Sequence, residues 1–285
     1  MAQTVKIISD STCDLSKELI EKYDITILPL HILLGETEYR DGVDITPEEI
    51  FRWSDENKTT PKTSAPSMTE AMEVMKPFLD EGREIICFSI SDSMSTSGNV
   101  MRLAAEDLEA SDKVTVINSA NLSTGIGLQV IQAAILSAEG KTRAQITAAI
   151  EEIRPRVRAS FTVDTLTYLY RGGRCNAVAA LAGTMLKLHP RIVVEDGAMD
   201  ASKKYRGKLG SVILSYTKDM EEELKNAVPD RVFITHSGCD REIVESVRSY
   251  LESLDIFNEI LETRAGGVVS SHCGPGTLGV LFIEK

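Results

Sequence analysis

The chain has 285 residues, 31 Lys and Arg against 43 Asp and Glu, and a formal net charge of -12. That balance excludes the electrostatic basis of nucleic-acid binding and of attachment to anionic membranes. Hydrophobic residues at 42% and charged residues at 26% are those of a globular protein with a full-sized core, in one large or two smaller domains.

Five widely spaced cysteines (Cys13, Cys87, Cys175, Cys239 and Cys273) include no C-x-x-C pair. They fit neither a zinc site nor a disulfide framework, so a reducing interior is expected. The N-terminus has no apolar h-region, and no apolar run approaches the roughly 20 residues that span a bilayer. A cytoplasmic location without stable membrane insertion follows as the expectation.

Val5-Lys6-Ile7-Ile8 reads as a buried strand, broken by Asp10-Ser11-Thr12-Cys13-Asp14. Ser11 or Asp14 then caps a helix carrying Leu15, Leu19 and Ile20. Residues 25–30 and 31–34 read as strands. A helix over Pro47 to Trp53 has Thr46 as its cap and Pro47 at its first position. Residues 54–62 read as a loop and Thr69 to Leu79 as a helix. Residues 85–90 form an interior strand, followed by a helix (100–108), a strand (114–117) and two helices (128–137 and 142–156). Strands alternating with helices at this spacing predict parallel βαβ units with right-handed crossovers.

After Pro155 the rhythm changes. A strand over 159–163 leads through Tyr168-Leu169-Tyr170-Arg171-Gly172-Gly173-Arg174 to an Ala-rich helix over Val178 to Leu188. Two strands (191–195 and 198–201) joined by Asp196-Gly197 carry a strong hairpin signal. A helix over Leu209 to Ala227, a strand (232–235), a helix (242–254) and terminal strands near 258–262 and 277–283 complete the chain. The fold class expected is two α/β domains, residues 1–157 with a parallel sheet flanked by helices and 158–285 with a mixed sheet and helices.

Three hydroxyl-rich islands exceed what helix or strand periodicity requires: 63–67 (Thr-Ser-Ala-Pro-Ser), 91–99 (Ser-Asp-Ser-Met-Ser-Thr-Ser-Gly-Asn) and 270–276 (Ser-Ser-His-Cys-Gly-Pro-Gly). Neutral hydroxyls and one imidazole can hold an anionic or carbonyl head group without burying a fixed positive charge. In the first island Ser67 caps the next helix with Glu70 completing a capping box, which leaves Thr63 and Ser64 free. The second follows a strand and precedes a helix, where open parallel sheets place their ligands. In the third, small turn-forming residues around His272 allow close backbone approach. His31 and His236 read as structural, and His189 has no nameable partner. No phosphate loop, G-x-S-x-G elbow or H-E-x-x-H is present, and Gly125-Ile126-Gly127 is only a fragment of a dinucleotide fingerprint. Arg171 and Arg174 flank a glycine turn, which serves either as a solvated turn or in recognition of an anion or acidic partner. The basic run 203–208 reads as a solvated face or a docking patch.

In combination and in order, these segments resemble the DegV family of bacterial fatty-acid-binding proteins over essentially the whole chain. The resemblance rests on 10–15, 63–67, 94–99, 164–166 with 168–174, and 272–276. It implies two α/β domains with a long-chain fatty acid buried between them and no cofactor besides that ligand. It also implies that the acyl carboxylate is held by Thr63, Ser95 and His272, with Ser64 and Thr96 beside them. Many relatives read Leu-Ser-Gly-Thr where this chain reads Met94-Ser95-Thr96-Ser97. The family further implies a non-enzymatic carrier that presents the carboxylate to a separate fatty acid kinase, with Arg171, Arg174 and Arg206 contacting that partner. Two alternatives stay open on the residues themselves: a Ser/His acyl hydrolase or transferase with Ser95 as nucleophile and His272 as base, and a lipid-sensing interaction protein.

Overall fold

The computed structural model describes residues 5–175 and 188–285. The expected helix over Val178 to Leu188 lies outside the described residues save for Leu188. Strand β1 (Val5–Asp10) is buried throughout and pairs in parallel with β2 (Ile25–Leu28). Strands β3 (His31–Leu34) and β4 (Thr37–Arg40) with β5 (Lys62–Ser64) make a small antiparallel sheet, order β4-β3-β5. Strands β6 (Glu84–Ser89) and β7 (Val114–Asn118) complete a four-stranded parallel sheet, order β2-β1-β6-β7. The second half supplies β8 (Val157–Thr162), β9 (His189–Glu195), β10 (Ala198–Tyr205), β11 (Ala227–Ser237), β12 (Glu259–Arg264) and β13 (Thr277–Glu284). They form a six-stranded mixed sheet, order β10-β9-β8-β13-β11-β12, in which only β11 and β12 run parallel.

Between the two sheets runs the helix Thr124–Ala138, apolar on every side and buried along most of its length. A helix without a polar face has to be covered all round, and here β1 lies on one side and β8 and β13 on the other. One apolar cluster therefore reaches from Val5, Phe88 and Ile126 to Val157, Phe161 and Leu281. The outer face of the parallel sheet packs on helices Met68–Asp80 and Ser97–Asp107 through Met75 and Met101. Helices Leu209–Asp219 and Arg241–Ser253 cover the outer face of the mixed sheet through Tyr216 and Val247.

Several local expectations change for identifiable reasons. The first helix spans Lys17–Lys22 and is capped by Ser16, because Ser11 and Asp14 are committed elsewhere. The capping box of Thr46 and Glu49 starts a helix that runs on to Asn57, past the expected loop boundary. Lys62, at the end of the expected loop 54–62, joins Thr63 and Ser64 in pairing with β3. The expected helix 209–227 breaks at Met220 into two helices, and Ala227 already belongs to β11. The hairpin of β9 and β10 turns at Asp196 and Gly197, both with positive φ (48° and 79°), as a two-residue type I′ connection requires.

A seven-residue helix, Gly267–Cys273, was not expected from Gly-Val-Val-Ser-Ser-His-Cys. It holds two β-branched and two hydroxyl residues and has little intrinsic helix propensity. Tertiary contacts hold it instead. Asp14 accepts from Gly266 N at 2.8 Å and Asp41 from Gly267 N at 2.7 Å. Ser123 donates to Asp14 at 2.5 Å and Ser11 to Asp41 at 2.8 Å.

Burial raises the Asp14 carboxyl well above its usual range, against the pull of Ser123 and Gly266. A raised carboxyl pKa means the fold binds this proton more tightly than the unfolded chain does. Its contribution therefore rises as pH falls from neutral toward the unfolded carboxylate range near about 4. Asp14→Asn should flatten that part of the pH dependence in denaturant titrations at pH 7 and 5. Asp14→Ala should cost on the order of 2–4 kcal/mol at either pH by orphaning the buried Ser123 hydroxyl and the part-buried Gly266 N–H.

Candidate functional site

Strand β5 lies beside β3, with Ile32 opposite Thr63 and His31 opposite Ser64. This pairing brings the first hydroxyl island under the helix 267–273. Thr63 Oγ1 and His272 Nε2 are 2.8 Å apart across 209 positions of sequence. Around them lies a cavity of about 480 Å³, within the roughly 300–1,000 Å³ range of small-molecule sites. Thr63, Ser64, Ser95, Thr96 and His272 all line it, so the three islands meet in space. Much of the remaining wall is apolar, with Leu30, Ile90, Met94, Leu122, Met199 and Val269, while Asp92, Ser93 and Arg174 add polar and charged groups to it.

The serine island divides its labour. Ser91 donates to Gly197 O at 2.6 Å and Ser93 makes a second contact to the same oxygen, holding the β9–β10 hairpin against the first half. Ser97 donates to Asp10 at 2.9 Å, and Asp10 also accepts from Ile90 N at 2.9 Å. Burial raises the Asp10 carboxyl, with Thr12, Ile90 and Ser97 opposing. Ser95 Oγ accepts from Ser97 N at 3.2 Å, a local turn contact that leaves its own proton available. Thr96 and Ser64 are exposed at the rim.

Burial, with the Arg174 charge second, pushes the His272 pKa down to about 4, so the ring is neutral at pH 7. Its Nδ1 has no hydrogen-bond partner among the described residues. Arg174 lines the cavity and donates to Gly172 O at 2.8 Å. The sequence alone placed it with the partner-facing residues, and its place in the wall was missed there. Arg171 and Arg206 are exposed and do not line the cavity. The apolar wall had a partial signal, since Met94 interrupts the second island and Val268-Val269 directly precede the third.

The remaining singled-out residues have structural partners. His31 lies 2.8 Å from both Glu38 and Glu70. His189 Nδ1 donates to Val163 O at 2.9 Å, and His236 Nδ1 accepts from Cys239 N at 3.3 Å. Gly125 and Gly127 pack against Asn121 and Leu15 within and beside the central helix. A larger cleft of about 870 Å³ is lined by Arg154, Arg158 and Arg191. Its arginines are paired: Arg191 binds Glu223 at 2.9 and 2.7 Å, Arg154 binds Glu151 at 2.6 Å, and Arg158 binds Glu284. The smaller cavity is the one with hydroxyls to spare.

Two sheets enclosing a central helix, with one hydroxyl-and-imidazole cavity built from both halves, define an α/β protein with an amphipathic small-molecule site. A family profile described as "Uncharacterised protein, DegV family" matches residues 4–285. The chain belongs to the DegV family. A DegV domain-containing protein of Clostridium perfringens is 34% identical over 284 residues, covering 99% of each chain. A DegV family protein from Thermus thermophilus, whose structure is described for its fatty acid binding, superposes with a TM-score of 0.91 at 30% identity, covering 99% of this chain and 100% of that one. A stearic-acid-binding protein from Eubacterium ventriosum superposes at 0.85 with 33% identity, covering 99% and 98%.

Burial works against charge on His31, but its hydrogen bonds to Glu38 and Glu70 outweigh it and raise its pKa. Glu70 also closes the capping box on Ser67, four residues from Thr63. The stabilisation is fully present below the unfolded pKa near about 6.5 and is lost as pH rises through the folded value. His31→Gln should remove a stability increment of under about 1 kcal/mol at pH 6 and change nothing at pH 9, read by denaturant titration at both.

Proposed function

We propose that this protein is a carrier of long-chain fatty acid that buries the acyl chain between two α/β units, residues 1–157 and 158–285. On this reading the carboxylate sits at Thr63, Ser95 and His272, with Ser64 and Thr96 at the rim. The observation that carries it is the meeting of those side chains in one cavity whose remaining wall is largely apolar. The Thermus and Eubacterium relatives, both above the identity at which only fold is shared, support the same ligand class.

The energetics suit a carrier. About 15 methylenes at roughly 0.8 kcal/mol each offer about 12 kcal/mol of burial before the cost of association. Neutral hydrogen bonds at the head add roughly 0.5–1.5 kcal/mol apiece. The tail supplies affinity and the head cluster supplies orientation.

The carrier works in the cytoplasm and offers the held carboxylate to a separate fatty acid kinase. Arg171 and Arg206, both exposed, serve that partner's surface, and Arg174 stands between partner and ligand at the cavity wall. No helix among the described residues is long and apolar enough to cross a membrane.

A hydrolytic triad finds less support. It needs an acidic side chain on the base's second nitrogen, and His272 Nδ1 is unpartnered while its Nε2 faces Thr63 rather than Ser95. Organic extraction of the purified protein followed by mass spectrometry should recover close to one long-chain fatty acid per chain. Repeated recovery of none, with failure to load any in vitro, overturns the proposal. His272→Ala should keep its lipid but lose most of the preference for a fatty acid over the alcohol of equal length. With the cognate kinase, acyl phosphate should form on the wild type and fall sharply with Arg171→Ala and Arg206→Ala; lipid binding without any phosphorylation favours a lipid sensor.

A further inference from the structure

The glycine pair at 172–173 has no role in the head-group reading, yet Gly172 lies directly against the imidazole. A Cβ built on Gly172 would stand 2.4 Å from His272 Nδ1, 3.3 Å from Cε1 and 3.4 Å from Cγ. Its φ is not in the left-handed region, so backbone conformation does not demand glycine there. Gly172 closes the helix Thr167–Gly172, where alanine would otherwise be the better helix former. Space for the ring is what remains to explain it.

We propose that Gly172 is a positioning residue for His272: its missing side chain seats the imidazole edge-on against bare backbone and fixes the ring's orientation and proton. The seat offers Nδ1 neither donor nor acceptor among the described residues. A proton on Nδ1 would be a buried N–H without an acceptor, the rarest kind of unpaired polar group. The proton therefore resides on Nε2 and is donated to Thr63 Oγ1, 2.8 Å away. With its oxygen accepting from the imidazole, the Thr63 hydroxyl turns its own proton into the cavity. Gly172, His272 and Thr63 thus form a one-way chain that aims a neutral donor at the ligand.

The geometric part stands without any ligand; its consequence for binding rests on the carboxylate-holding reading proposed above. Long-range proton–nitrogen NMR spectra of the delipidated full chain at pH 7 should show His272 Nδ1 unprotonated and Nε2 protonated. In Gly172→Ala the ring has to swing, and both nitrogens should move toward a mixture of tautomers. Fatty-acid Kd should rise about tenfold, the order expected for losing a neutral hydrogen bond or two at the head. In a His272→Ala background, Gly172→Ala should have no further effect.

Unchanged His272 signals in Gly172→Ala, or equal losses in both backgrounds, overturn the proposal. Should Gly172→Ala fail to fold, the Gly172→Ala/His272→Ala double variant decides: recovery of folding supports the seat and continued failure refutes it. A wild type that binds no fatty acid defeats the head-group reading, whereas the nitrogen spectra still decide the role of Gly172.

Discussion

Everything about the site depends on how one short helix is held. Residues 267–273 start where two carboxylates from the first 41 residues reach across to meet them, Asp14 on Gly266 N at 2.8 Å and Asp41 on Gly267 N at 2.7 Å. A helix start leaves several N–H groups without partners, and burying them unmatched would cost more than this helix gains by forming. Burial raises both carboxyls, Asp41 against the pull of Ser11 and Gly267, and the N–H groups and hydroxyls around them offset part of that penalty. The arrangement is costly in isolation and directional in effect. It fixes where the helix begins, and His272 follows five residues later on a known turn.

The same contacts bind the halves of the chain to each other. Residues 14 and 41 hold 266 and 267, Ser91 and Ser93 hold Gly197, and Thr124 meets Thr235 at 2.6 Å. These polar links ring a continuous apolar cluster around the central helix. The cavity lies on this seam and takes its hydroxyls from one side and its imidazole from the other, so its geometry is only as good as the registration of the two sheets.

The strands and most helices were legible because burial writes a period into them. Ile85-Ile86-Cys87-Phe88 could only be an interior strand, and Thr46-Pro47 with Glu49 signals a helix start by its own chemistry. The helix 267–273 was illegible because its stability lies in Asp14 and Asp41, more than 220 positions away in sequence. Sequence separation also hid which serines were spoken for. Nothing local tells Ser91 and Ser93, which clasp a distant hairpin, from Ser95, whose proton stays free. The islands themselves were visible as an excess of hydroxyls over structural need, and that excess is what lines the cavity. Arg174 was read as surface because Arg-Gly-Gly-Arg has no burial pattern, whereas its main-chain contact to Gly172 O turns it toward the wall.

On the proposed reading, a carrier that hands its cargo's carboxylate to another enzyme has to orient that group without quenching it. A buried Arg or Lys against the oxygens would bind more strongly, but a charge-assisted pair also withdraws the electron density that attack on a phosphoryl group requires. The cluster here is neutral at its centre: His272 is held uncharged by burial, and Thr63 and Ser95 are hydroxyls. Among the described residues, the cation lining the cavity is Arg174, exposed at the wall rather than set in the buried centre. On that reading it meets the charge that develops as a phosphoryl group arrives. Affinity then has to come from the hydrocarbon, which the apolar walls beyond Met94 and Val269 are placed to supply. Weak, aimed donors at the head and strong, undirected burial along the tail are the combination that lets one molecule be held firmly and still react at its exposed end.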